Sequence, residues 1–128
     1  TLAELAQAQK QWQALPDSIR PRVLFVSVDP ERDTPTRIGE YAHAFHPDAI
    51  AATADIPALE DFAKSLGFVF MKVPGKDFDA NPQDYSMDHS SGIAVIDPQG
   101  RVAGLMRPPF NPKAIATDMA ALTQASLK

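Results

Sequence analysis

The chain has 128 residues, the length of one domain able to bury roughly two thirds of the surface its unfolded form exposes. With 45% hydrophobic and 22% charged residues it has an ordinary globular balance, which excludes a disordered chain. A formal net charge of −4 without a basic stripe excludes a binder of nucleic-acid backbones, and the lack of cysteine removes disulfides and thiolate ligands from within the chain. No apolar run is long enough to cross a bilayer and no signal-peptide pattern is present. The chain starts with Thr1 directly in a helical pattern, so a processed or truncated product is expected, its missing front able to have held a targeting segment.

Thr1-Leu2-Ala3-Glu4 spells a capping box ahead of a helix with Leu2, Leu5, Ala8, Trp12 and Leu15 on one face, and Pro16 stops it. Trp12 reads as a core anchor. Residues 23–28 form an apolar run without alternation, as in a strand covered on both sides within a parallel sheet. It ends in the charged loop Asp29-Pro30-Glu31-Arg32-Asp33. Thr34 then caps a helix with Pro35 at its first position and Ile38, Tyr41, Ala42 and Phe45 buried. His43 and His46 lie three apart on it, with no third ligand nearby in sequence, and read as solvated surface histidines.

A short strand is expected over residues 49–53. Asp55 caps a helix burying Leu59, Phe62, Ala63 and Leu66, and Gly67 ends it. Residues 68–73 read as a strand. Residues 74–88, rich in Pro, Gly, Asn and Asp, read as a long surface loop of the kind that is often functional. Ile93 to Ile96, the turn Asp97-Pro98-Gln99-Gly100 and the return from Arg101 to Met106 spell a β-hairpin. Asn111 and Pro112 open a last helix with Ile115, Met119 and Leu122 on one face.

The polar stretch before the hairpin delivers His89 to the mouth of a strand, where an imidazole is held by the sheet and stays reachable as a ligand or proton carrier. A capped, hydrogen-bonded loop histidine is the plainer alternative. Asp29 closes the first strand at the edge where α/β ligand sites gather, or belongs to a solvated turn with local charge pairing. Asp88 either orients the His89 ring or caps its loop. Met87 has a soft sulfur, but is expected to serve packing or to be exposed. The order of elements predicts an α/β sandwich with a mixed sheet, in one domain covering residues 1–128.

Four pieces in this order carry a resemblance: Thr1-Leu2-Ala3-Glu4-Leu5, Val28-Asp29-Pro30-Glu31-Arg32-Asp33-Thr34-Pro35, Asp88-His89-Ser90 and Ile96-Asp97-Pro98-Gln99-Gly100-Arg101. Across essentially the whole chain they resemble the Sco/SenC family of copper-delivery proteins. The resemblance implies a thioredoxin-like fold, a metallochaperone rather than an enzyme, and a role in assembling the binuclear copper centre of cytochrome c oxidase. That family binds copper through the two cysteines of a C-x-x-x-C-P motif and one distant histidine, which His89 matches. The cysteines have no counterpart here. Their motif would fall just before Thr1, so either the chain has lost its front or it comes from a relative with a different motif. Two thiolates suit Cu(I), and an added imidazole lets the same site hold Cu(II). A lone imidazole defines no selective copper site, so tight copper binding is expected of the intact protein rather than of this chain.

By the same resemblance, Asp29 lies near the metal loop as an outer group or partner contact, and the His89 ring faces the start of the first helix. The implied partners are the copper-bearing oxidase subunit or another copper chaperone. The implied location is the periplasmic side of the bacterial inner membrane, with the mitochondrial intermembrane space second; the family's usual N-terminal anchor is not in this chain. A thioredoxin-like domain lacking its first strand would leave a slot between the strands at 23–28 and 92–97, which predicts either a repacked sheet or a strand-exchanged homo-oligomer. Two other readings are a thioredoxin- or peroxiredoxin-like thiol-disulfide oxidoreductase whose active cysteines lie outside the chain, and a cysteine-free interaction module using loops 29–35 and 74–89.

Overall fold

The structure is a computed structural model and describes residues 1–125. In chain order its elements are α1 (Leu2–Trp12), β1 (Leu24–Val26), α2 (Pro35–Phe45), β2 (Ile50–Ala52), α3 (Ile56–Ser65), β3 (Phe70–Pro74), β4 (Tyr85–His89), β5 (Ile93–Ile96), β6 (Val102–Met106) and α4 (Pro112–Ala125). They fall into two compact units. One contains Thr1–Ser27, Asp33–Ala52 and the chain from Pro109; the other contains Val28–Arg32 and Thr53–Pro108.

In the first unit β1 and β2 pair in parallel, Leu24 opposite Ile50 and Val26 opposite Ala52. The core is made by Leu5, Ala8 and Trp12 of α1, Ile38 and Ala42 of α2, and Ile115 and Ala116 of α4, with Val23 and Ala49 at the strand ends. Small residues on α1 and α4 let the two helices pack closely. Trp12 anchors this contact as expected: it is 3% exposed, and its Nε1–H donates to the Ala116 carbonyl at 3.1 Å, which satisfies the indole's one polar group. Arg20 folds back on the end of α1 and donates to the carbonyls of Trp12, Gln13 and Leu15, helping to satisfy the helix's C-terminal acceptors.

Thr34 accepts from the Arg37 N–H and Pro35 starts α2, as its spelling requires. The capping box at Thr1 does not form. Thr1 is the N-cap, but its side chain makes no capping bond, and Glu4 pairs with the chain's amino group instead. His46 also departs from the expected surface position. It is 3% exposed, its Nδ1 accepting from the Asp48 N–H at 3.1 Å. Nε2 therefore carries the ring proton and faces the Gln13 amide at 3.4 Å, which must turn its oxygen toward it. Pro47 forces residue 46 into extended backbone, and that turns the ring under the end of α2. His43 is exposed, as expected.

The doubly covered strand predicted at 23–28 is shorter and more open. Leu24 is 56% exposed, because β1 has β2 as its only ladder partner among the described residues. Tyr41 is likewise half exposed, its ring leaning on Phe25 and Phe45 at centroid distances of 5.7 and 5.3 Å. Leu122 of α4 is also exposed rather than buried.

In the second unit, Asp55 caps α3 by accepting from the Ala58 N–H. The helix ends in a Schellman turn, Phe68 N–H to the Ala63 carbonyl and Gly67 N–H to the Lys64 carbonyl, with Gly67 at φ 75° where a side chain would be strained. Leu59 and Ala63 are buried, whereas Phe62 stays exposed. β5 and β6 form the predicted hairpin. Asp97 accepts from the N–H groups of Gln99 and Arg101, Gly100 takes φ 81°, and a bulge lies at Val95/Ile96.

The long loop predicted at 74–88 is a correction. Its last four residues belong to β4, paired antiparallel with β3 from Pro74 opposite Tyr85 to Phe70 opposite His89. Only residues 75–84 remain a loop, closed by Gly75 N–H to the Asp84 carbonyl and by the Asp84 carboxylate accepting from the Asp77 N–H. Among the described residues the strands form three two-stranded ladders. No helix among the described residues is long and apolar enough to cross a membrane.

Candidate metal centre

β4 carries the chemistry-bearing side chains, and pleating sorts them. Tyr85, Met87 and His89 share the face that holds Pro74, Lys72 and Phe70 of β3, while Ser86 and Asp88 share the other with Val73 and Met71. His89 is therefore the last residue of a strand rather than part of a loop. It is exposed, and its Nδ1 lies 2.9 Å from the Ser90 carbonyl oxygen. A carbonyl only accepts, so Nδ1 carries the proton and Nε2 keeps the lone pair that a metal uses.

Ser90 is itself fixed. Its N–H donates to the Val69 carbonyl at 2.9 Å, and its hydroxyl accepts from the Val69 N–H at 3.0 Å. The carbonyl that orients the ring thus sits on backbone pinned to the start of β3. The Asp88 side chain projects to the opposite face, is exposed, and has no hydrogen bond or ion pair among the described residues, whereas the His89 ring bonds to Ser90.

The other end of β4 is tied to the Val28–Arg32 segment. Asp29, 8% exposed, accepts at Oδ1 from the Tyr85 hydroxyl at 2.7 Å and at Oδ2 from Arg32 Nε. Arg32 Nη1 donates to the Tyr85 carbonyl at 2.9 Å, and its guanidinium lies 3.8 Å from the centroid of the Tyr85 ring. Lys72 Nζ sits 4.4 Å from the same centroid while binding both oxygens of Glu31 at 2.9 Å. Burial pushes the Asp29 carboxyl upward, but the Tyr85 hydroxyl and the Arg32 guanidinium outweigh it and hold its pKa below the usual range. Burial, with the Asp29 carboxylate at its hydroxyl, pushes Tyr85 up to about 12.

Sequence reasoning left Arg32 as a solvated turn residue and did not single out Tyr85. The alternation Tyr85, Met87, His89 against Ser86 and Asp88 was the available signal for both the strand and the shared face. Asp33 accepts from the Ser27 hydroxyl, closing the turn in the other unit. Among the described residues no group of three or more His, Cys, Asp or Glu side chains could hold a metal ion. His89 is the imidazole this arrangement offers, and a complete site requires further donors.

Helices alternating with strands and a closing hairpin give this chain a thioredoxin-like fold. The SCO1/SenC family model matches residues 1–124, and the chain belongs to that family. It is 34% identical over 99 residues to the mitochondrial SCO2 homolog of Bos taurus, covering 77% of this chain and 36% of that protein. Arabidopsis thaliana ScoI with copper bound superposes at TM-score 0.80 with 26% identity, over 96% of this chain and 73% of that one. Bradyrhizobium japonicum ScoI with copper bound gives 0.77 and 29%, over 94% and 72%. The chain spans little more than a third of the length of the first curated relatives it matches.

Proposed function

We propose that these 128 residues act as one copper-delivery domain, in which His89 gives its Nε2 to copper beside two thiolates supplied from outside the chain. The observation that carries this reading is the His89 ring, its Nδ1 committed to the Ser90 carbonyl and its Nε2 left as an acceptor at an exposed strand end. Two solved relatives, the ScoI proteins of Arabidopsis thaliana and Bradyrhizobium japonicum, hold copper, and this supports copper as the cargo. Copper is held to be passed on, not used in catalysis. Two soft sulfurs favour Cu(I), and the imidazole admits Cu(II), so one site holds the ion in either state during transfer.

In this reading the receiving partner is the copper-bearing subunit of cytochrome c oxidase, or another copper chaperone upstream of it. Asp29 acts at a distance, through Tyr85, on the strand that carries His89. Asp88, exposed beside the site on the opposite face, is a contact for the partner. The location is the periplasmic side of the bacterial inner membrane, where such an oxidase site is loaded. The test is oxidase copper content in cells lacking this protein, restored with the full-length protein or with its His89→Ala form. The parent form restores the binuclear copper; restoration by His89→Ala to the same level would overturn the reading.

A further inference from the structure

We propose that Met87 and His89 together form a two-donor site for monovalent copper on one face of β4. The inference rests on the reading of His89 as a copper ligand and adds a second donor from within this chain. Alternate residues of a strand lie about 6.6 Å apart at Cα and project to the same side. Two donors sharing one ion need to approach to about 4 Å, twice an ordinary metal–donor bond of ~2 Å. The three rotatable bonds of methionine cover that difference.

The surroundings set the selectivity. The Ser90 carbonyl accepts a hydrogen bond from Nδ1–H, so the lone pair of His89 is on Nε2. Asp88, between the two, projects from the other face and adds no hard oxygen to this one. Phe70 and Lys72 stand opposite His89 and Met87 in register. The Lys72 ammonium is bound to both Glu31 oxygens, which offsets its charge beside a monovalent ion. A thioether and an imidazole without a carboxylate favour Cu(I) over Zn(II) or Cu(II). Such a pair gives the ion a first resting place at the open end of the strand.

The test is Cu(I) titration of the 128-residue chain against a chromophoric chelator, with X-ray absorption on the loaded protein. The chain has no cysteine, so a copper–sulfur shell can come only from methionine. The expected result is one sulfur and one nitrogen shell. Met87→Leu, nearly isosteric, then loses the sulfur shell and at least tenfold in affinity, and His89→Ala also weakens binding. In the unaltered chain, Cu(I) shifts the Met87 methyl resonance and leaves those of Met71, Met106 and Met119 in place, a readout independent of how the variants fold. An unchanged sulfur shell and affinity in Met87→Leu, with binding lost in His89→Ala, overturns the pair and leaves His89 as a ligand. Unchanged binding in both overturns the pair and the reading beneath it.

Discussion

The hydroxyl of Tyr85 donates a 2.7 Å hydrogen bond to Oδ1 of Asp29, joining positions 56 apart in sequence in a buried contact. Arg32 closes the same triangle by holding the Asp29 carboxylate and the Tyr85 carbonyl at once. The charged turn after β1 is thereby fastened to the first residue of the strand whose last residue is His89.

Replacing Tyr85 by Phe removes the phenol donor from a buried carboxylate, and a loss of about 1–3 kcal/mol of folding stability is expected. The pH dependence identifies the cause. The folded Tyr85 pKa of about 12 lies above the unfolded value near 10, so its contribution is complete below pH 10 and disappears as pH rises toward 12. Urea unfolding at pH 8 and at pH 11.5 measures this: the parent loses stability across that window, and Tyr85→Phe loses less.

Asp29 works in the opposite direction. Its folded pKa is depressed, so its contribution is present above the unfolded value near 3.9 and is lost as pH falls through the folded one. Asp29→Asn should therefore be less stable than the parent at pH 7, with the gap closing in acid. Unfolding curves at pH 7, 4 and 3 check this, and a gap that stays constant would assign the effect to packing alone.

His46 is a structural histidine of the first unit and no part of the copper account. His46→Ala removes the Nδ1 acceptor of the part-buried Asp48 N–H and leaves a void where the buried ring lay under the end of α2, for an expected cost of about 2–3 kcal/mol. His46→Asn, whose side-chain oxygen can take over the acceptor role, should recover part of that loss. Copper affinity of the full-length protein should be unchanged in both variants, measured on the folded fraction.

Much of the fold was legible because its signals are local. The caps at Thr34 and Asp55, the stop at Gly67 and the Asp97–Gly100 turn are each set by one or two side chains and their own backbone. Trp12 was legible as an anchor because its spacing placed it on the apolar stripe of α1. β4 was hidden because its sequence is polar, and pairing with β3 rather than propensity makes it a strand. That error placed His89 in a loop and lost the face it shares with Met87. His46 was hidden because histidine on a polar stretch reads as surface, whereas Pro47 and the Asp48 N–H turn it inward. Arg32 and Tyr85 meet across 53 positions, a relationship that no local pattern encodes. The family motifs showed His89 to be a candidate ligand; its orientation through Ser90 took coordinates.

The most direct measurement is copper titration of the full-length protein, parent against His89→Ala, followed by nitrogen hyperfine structure in the Cu(II) spectrum. Nε2 coordination requires that His89→Ala lose the imidazole nitrogen signature and bind Cu(II) at least tenfold more weakly, with Cu(I) held better by the soft ligands that remain. An unaltered spectrum and unaltered affinity in His89→Ala would contradict the account.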